Sequence, residues 1–270
     1  MRIGFMGAGR MATALARGLV GAKIVSANSI VASDPSIDAR RAFEHEVPSC
    51  EVANDNVENV GQTDVIFLAV KPQTMDQALA SLRASIQPNA LVVSIAAGVT
   101  LARIGAALPP QQRIVRVMPN TPCLIGKGAS GYSLGEHATE NDGKLVAKLL
   151  SAVGAAFEVD EAMLDAVTGL SGSGPAFVYS MIEALTEGGA AAGLPPELAA
   201  ELAVRTAAGA AAMVLETGDT PAVLRERVTS PGGTTLAGLG VLAERRFNQA
   251  VVEAVQAAAR RSAELGRGTK

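Results

Sequence analysis

Gly7-Ala8-Gly9-Arg10-Met11-Ala12 is a run of small residues between an apolar stretch, Arg2-Ile3-Gly4-Phe5-Met6, and a segment from Met11 to Val20 rich in Ala and Leu. In the spacing G-x-G-x-x-A each small residue has its own task. The first glycine allows a sharp turn out of a strand, the second lets backbone N–H groups approach a pyrophosphate, and the alanine lets the next helix lie close to the sheet. The helix start then offers an anion unpaired N–H groups and the positive end of its dipole. Such a pattern is common on its own. Here it follows a strand, opens a helix and is followed about 20 residues on by an acid, since Asp34 closes a second strand, Ile30-Val31-Ala32. Together these features predict a bound dinucleotide.

A second group of residues suits a small anion. Val228-Thr229-Ser230-Pro231-Gly232-Gly233-Thr234-Thr235 sets two glycines and several hydroxyls at a helix start, where N–H groups converge on a carboxylate. Leu170-Ser171-Gly172-Ser173-Gly174-Pro175 is a similar turn before another helix. The remaining inventory is sparse. His45 and His137 are the only histidines, both in polar surface contexts, and from Glu161 to Thr269 there is neither His nor Lys. No metal-ligand cluster is expected, a serine triad lacks its histidine, and the second half lacks the usual general acids for reducing a ketone. An iminium carbon needs none, because its nitrogen takes a proton from water near neutral pH before reduction. A small imino acid therefore fits, with its carboxylate on the Gly-rich helix start, its ring between the domains and hydride from a nicotinamide. Catalysis is then chiefly orientation and exclusion of water.

The elements that must hold these groups alternate. After a polar helix over Asp38 to His45, Val52 to Asn56 returns toward a sheet and Val57 to Val60 makes a short helix. Asp64 to Val70, Ala90 to Ile95 and Arg113 to Met118 are apolar runs of the kind covered on both faces in a parallel sheet. They end in Lys71-Pro72-Gln73, Ala96-Ala97-Gly98 and Pro119-Asn120-Thr121-Pro122, so their carboxyl ends converge on the crevice beside Gly7. Helices around Thr74 to Ser85 and Leu101 to Leu108 supply right-handed crossovers. Ala129 to Ser133, a helix over Glu140 to Val153, and Ala155 to Val159 complete a doubly wound domain, residues 1–160. From 161 to 270 only helices are expected: Pro175 to Ala192, Pro196 to Thr217, Pro221 to Val228, Thr234 to Glu244 and Asn248 to Leu265, with proline in the first turn of three and Gly193, Gly218 and Gly266 past their ends. This Ala-rich half makes a thin core, which predicts a core shared with a second subunit.

The chain has 270 residues, 49% of them apolar, and a net charge of −3, so no basic excess points to nucleic acid. The uncharged runs Ala84 to Ala102 and Ala166 to Ile182 are broken by Gly, Pro or Asn, so no membrane span is expected from them. No secretory leader is expected, as Arg10 and Arg17 interrupt any apolar stretch at the start. Cys50 and Cys123 read as separate reduced thiols of a cytoplasmic protein, the second as a small buried residue.

Ala69-Val70-Lys71-Pro72-Gln73, Ser94 to Thr100, Arg116 to Pro122, Leu170 to Ala176 and Ser230 to Thr235 occur in that order, and with them the chain strongly resembles pyrroline-5-carboxylate reductase from Ile3 to about Leu265. The Ser-Pro-Gly-Gly-x-Thr element is the most specific of these. The resemblance implies a Rossmann-type α/β domain followed by an all-α dimerisation domain, and NAD(P)H-dependent reduction of 1-pyrroline-5-carboxylate to L-proline, the last step of proline biosynthesis. It implies that Met6, Gly7, Ala8, Gly9, Arg10, Met11, Asp34, Asn56, Ala69, Val70, Lys71, Pro72, Ile95, Ala96 and Ala97 line the dinucleotide site. By the same resemblance Ser230, Gly232, Gly233, Thr234 and Thr235 hold the substrate, Thr235 being the hydroxyl that meets the ring nitrogen and the one catalytic assignment. Homodimers, often gathered into decamers, are implied as well.

Two positions depart from the family's pattern. Many relatives carry a His where Thr220 stands, so no role for an imidazole transfers, and Thr220 reads as a helix N-cap. The family usually prefers NADPH, yet Asp34 would repel a 2′-phosphate and favour a free ribose, which leaves NADH open. Rival readings are a β-hydroxyacid-type dehydrogenase, whose helical half supplies a Lys absent here before Lys270, and a dinucleotide-binding redox sensor without turnover.

Overall fold

Four-residue apolar runs that must be covered on both faces build the centre of the protein, seen here in a computed structural model that describes residues 1–54 and 57–267. β1 (Ile3–Met6) leads into α1 (Arg10–Gly21), β2 (Ile30–Ser33) into α2 (Ile37–Glu46), and β3 (Glu51–Ala53) is followed by α3 (Val57–Gly61). β4 (Val65–Leu68) precedes α4 (Met75–Arg83), β5 (Leu91–Ser94) precedes α5 (Leu101–Ala107), and β6 (Arg113–Met118) is followed by β7 (Gly128–Leu134), α6 (Glu140–Ser151) and β8 (Gly154–Glu158). The strands form one sheet in the order β3-β2-β1-β4-β5-β6-β7-β8. The first six follow the doubly wound order, with the change of direction between β1 and β4.

Every residue of β1, β2, β4 and β5 is buried. Alternate side chains serve the two faces. Ile3, Phe5, Val65 and Phe67 join Leu15, Leu19 and Phe43 on one side, whereas Met6, Ile66 and Leu68 join Met75, Leu79 and Leu82 on the other. Phe5 stacks on Phe67 with ring centroids 5.0 Å apart and lies tilted against Phe43 at 5.8 Å. Burying each such ring contributes roughly 1.5–3 kcal/mol.

One junction departs from a wholly parallel sheet: β7 runs antiparallel to β6, with Val117 opposite Tyr132. Residues 119–127 hold only a short 3₁₀ turn, Thr121–Ile125, closed by Gly126 at φ 71°. A parallel return needs a crossover of about a dozen residues or more, so this link can only reverse the chain. β8 then pairs parallel with β7, bringing Gly154 opposite Gly128. Gly154 has φ 146°, and a Cβ there would drive into the Gly128 backbone.

The chain groups into two units, Met1–Ser173 together with Gln256–Lys270, and Gly174–Val255. The contacts thus divide at 173/174, whereas the division expected from the sequence falls at 160/161. Leu164, in α7 (Leu164–Val167), is fully buried, and Ser262 donates to Asp165 at 2.6 Å, which fixes both stretches to the first unit.

The second unit is helical: α8 (Gly174–Ala191), α9 (Pro196–Thr217), α10 (Pro221–Arg227), α11 (Thr234–Glu244) and the first part of α12 (Phe247–Gly266). Gly193 and Gly218 take φ 103° and 70° just past α8 and α9, as helix ends of this type require. α8 packs on α9 through small residues, a Cβ on Gly189 lying 3.1 Å from the Ala199 Cβ. Only Ala199 and Ala203 of this unit are buried hydrophobics among the described residues, and Leu215 is 84% exposed. α9 is also long and apolar enough to cross a membrane by length and composition, a stretch passed over when only uncharged runs are considered because Glu197, Glu201 and Arg205 sit within it.

Gly154→Ala should lower stability by about 3 kcal/mol or more through backbone strain and overlap. Urea unfolding followed by circular dichroism should show the midpoint fall, and an unmoved midpoint would mean that the β7–β8 junction yields to a methyl group.

Candidate active site

Register decides which residues meet. Met6 lies opposite Ser33 and Leu68, and Leu68 opposite Ser94, so β1, β2, β4 and β5 end side by side. The chain beyond those four ends carries Gly7–Met11, Asp34, Ala69–Pro72 and Ile95–Ala97. The first unit therefore brings together all the dinucleotide-site residues expected from the sequence that are described. Asn56 lies outside the described residues.

Gly7 turns at φ 100°, and a Cβ there would come within 2.7 Å of the Ala69 carbonyl. Its N–H donates to the Ser33 carbonyl at 2.7 Å, and the Ala69 N–H donates to the Met6 carbonyl at 2.8 Å, which closes the turn onto both neighbouring strands. Gly9 is the N-cap of α1 and no side chain caps the helix. A Cβ on Gly9 would meet nothing within 4 Å. Ala12 is buried against the sheet. The result is an open helix start with uncapped N–H groups beside a glycine that leaves its approach clear, a cradle shaped for a phosphate. Met6, Gly7 and Ala8 are buried beneath it, and Gly9 and Arg10 face solvent.

Asp34 is half-buried and tied in on both sides. Its Oδ2 accepts the Ala8 N–H at 2.9 Å, and its Oδ1 accepts the Ser36 N–H at 2.8 Å. The carboxylate therefore braces the glycine turn as well as closing β2. Lys71 is exposed, with its carbonyl holding Thr74 through both N–H and hydroxyl at 3.0 Å. Ala96 is buried and Ala97 exposed, followed by Gly98 at φ 72°.

Two polar links escaped the sequence reading. Asn120, just beyond β6, accepts the Ala129 N–H at 2.9 Å and donates to the Ser171 carbonyl at 3.1 Å, so it clasps the end of β6, the start of β7 and the stretch at Ser171, where Thr168–Gly172 form a π-helix instead of the turn expected from the sequence. Arg116, buried within β6, pairs with Glu161 at 3.0 Å, and the same carboxylate oxygen accepts the Leu101 N–H at the start of α5 at 2.7 Å. The signal for both was a strongly polar residue inside or next to an apolar run, which must have buried partners.

In the second unit Gly232 turns at φ 71° and Gly233 is the N-cap of α11, again with no side chain capping the helix. The Gly233 N–H donates to the Ser230 carbonyl at 3.0 Å. Ser230 and Thr234 are exposed and Thr235 is half-buried, so the loop presents hydroxyls and free N–H groups at one helix start. Thr220 accepts the Val223 N–H at 3.4 Å, the N-cap expected of it.

Other reactive groups stand apart. His45 and His137 are both exposed. Cys123 is buried, and the half-buried Cys50 thiol is pushed up to about 11, by burial first and by Glu44 second. A cavity of about 720 Å³ beside α5, lined by Leu101, Gln112, His137 and Glu161 among others, holds none of the residues expected to act.

Residues 161–265 match a family model described as pyrroline-5-carboxylate reductase dimerisation, and residues 2–98 match one described as NADP oxidoreductase coenzyme F420-dependent. Pyrroline-5-carboxylate reductase of Arabidopsis thaliana is 47% identical over 98% of this chain and 95% of its own. That of Methanosarcina acetivorans is 44% identical over 98% of each. Among solved structures, a pyrroline-5-carboxylate reductase from Coxiella burnetii superposes with a TM-score of 0.90 at 36% identity, covering 98% of both chains. Pyrroline carboxylate reductase of Plasmodium falciparum with NADP bound gives 0.87 at 32% identity, again over 98% of both.

Gly9→Val should leave folding intact, because its side chain enters open space, while dinucleotide affinity falls at least about tenfold, or 1.4 kcal/mol. Titration of nicotinamide fluorescence measures this, and undiminished affinity would remove the turn from the site.

Proposed function

Since the chain belongs to the pyrroline-5-carboxylate reductase family, we propose that the α1 start receives the cofactor's pyrophosphate and that the α11 start grips the substrate. The protein reduces 1-pyrroline-5-carboxylate to L-proline with a nicotinamide dinucleotide, the last step of proline biosynthesis. The observation that carries the cofactor assignment is the cradle at Gly7–Ala12, where a Cβ on Gly7 would strike Ala69 and one on Gly9 would project into open space at the uncapped start of α1. Met6–Met11, Asp34, Ala69–Pro72 and Ile95–Ala97 line this site, and Asn56 is assigned to it by resemblance.

When bound, the dinucleotide supplies the hydride. The chain's own part is to hold and orient. Gly233 at the N-cap leaves the first N–H groups of α11 free for the substrate carboxylate, with Ser230, Gly232 and Thr234 around it. Thr235, one residue further into the helix, meets the ring nitrogen with its hydroxyl. That nitrogen arrives protonated from solvent, the hydride adds to the iminium carbon, and the electron pair of the C=N bond becomes the nitrogen lone pair of proline. No step calls for a strong acid on the enzyme, in keeping with a helical half that has neither His nor Lys before Lys270.

NADPH is the proposed reductant. The relative from Plasmodium falciparum was solved with NADP, which supports this, and Asp34 keeps NADH as the alternative. The chain forms oligomers, given its dimerisation-family region. The assembly is proposed to be a homodimer through residues 161–270, further gathered into decamers, in the cytoplasm, with no nucleic acid or membrane partner. Support comes from the apolar side chains the second unit leaves exposed, among them Leu198, Leu202, Leu215 and Val241. A second copy would cover them.

Thr235→Ala should lower kcat with pyrroline-5-carboxylate by at least about tenfold and leave dinucleotide binding unchanged; equal kinetics would take Thr235 out of the site. Sedimentation velocity at micromolar concentration should find no stable monomer, and a clean monomer would defeat the shared core.

A further inference from the structure

We propose that Arg40 receives the 2′-phosphate of the dinucleotide and so sets the choice between its phosphorylated and unphosphorylated forms, an inference that rests on NADPH being the reductant. In this fold the adenosine ribose sits against the end of β2, and the groups there decide which ribose is accepted. Asp34 stands at that end, but both its oxygens already take backbone N–H groups, from Ala8 and from Ser36. Two amide dipoles thus offset its charge and turn it toward the glycine turn.

The cation beside it is held differently. Arg40, in the second turn of α2, donates from one terminal nitrogen to the carbonyls of Asp34 and Pro35 at 2.8 and 3.1 Å and to the Asn54 side-chain oxygen at 3.0 Å. These three oxygens fix the guanidinium at the carboxyl ends of β2 and β3. All three are neutral acceptors. Among the described residues Arg40 has no ion pair. Neither have Arg10, Arg41, Arg83, Arg260 and Arg267 of the same unit, but those five are exposed whereas Arg40 is half-buried, and the half-buried Arg113 and the buried Arg116 each have a carboxylate. Its Nε and second terminal nitrogen have no acceptor among the described residues, which leaves one edge of the planar fork for two-point contact with a phosphate. A half-buried cation fixed by neutral oxygens at the ribose end fits a phosphate dianion better than a hydroxyl.

Calorimetric titration with adenosine 2′,5′-bisphosphate and with adenosine 5′-monophosphate tests this without turnover. Wild type should bind the bisphosphate more tightly. Arg40→Met, which keeps the length of the stem, should bind it at least about tenfold more weakly and the monophosphate as before. Arg40→Lys, which keeps the charge and loses the fork, should fall between, and guards against a folding defect in the first variant. The kcat/KM for NADPH should drop in parallel while that for NADH holds. If wild type prefers the bisphosphate and Arg40→Met keeps that preference, or if both ligands weaken equally, the assignment of Arg40 is overturned and the NADPH reading stands. If wild type itself treats the two ligands alike, the NADPH reading falls, and this assignment with it.

Discussion

The in-register parallel pairing of β1, β2, β4 and β5 is the constraint on which the rest depends. Because Met6, Ser33, Leu68 and Ser94 lie abreast, four chain segments far apart in sequence leave the sheet at one edge. A shift of one residue in any pairing would send its side chains to the opposite face and its loop out of the crevice. Burial on both faces holds the register, since Phe5, Phe67 and Phe43 lock one layer and Ile66, Met75 and Leu79 the other. The glycine turn needs this rigidity. Its uncapped helix start is useful only if Gly7 stays pressed to Ala69 and Asp34 stays bonded to Ala8.

Most of this was legible in the residues. Continuous apolar runs ending in Gly or Pro marked β4, β5 and β6, and proline and glycine marked the ends of α8 to α10, because those residue types act locally. The reversal at β7 was less so. It follows from the length of the 119–127 link, a property of the connection that strand composition does not carry. Asp34 was legible as the residue that closes β2, but not its bonds to the Ala8 and Ser36 amides, because the first amide is brought near only by the turn. The clasp made by Asn120 joins positions 51 residues apart, and no local pattern announces such a partner. The sequence divides at 160/161, where the match to the dimerisation family also begins, while contacts group the chain through Ser173 with the first unit.

The two units solve opposite problems. The first buries large aromatic and branched side chains and is complete within itself. The second is made of alanine, glycine and leucine, and in a single chain leaves the leucines bare. Small residues let helix backbones come close, which suits an interface of large area with few bulky side chains. An apolar surface of this extent marks a region meant to be covered, and a helix such as α9, apolar enough by composition to enter a bilayer, can instead satisfy itself against another protein surface.

The first unit is discontinuous: the stretch that begins at Gln256 belongs to it, and Ser262 is bonded to Asp165. During translation that stretch leaves the ribosome only after every residue of the helical unit has been made. Until then the nascent first unit lacks the contacts that stretch makes, Ser262 with Asp165 and Leu265–Gly266 beside Gly98. A chain stalled within the helices would carry all eight strands without the C-terminal segment that braces their unit.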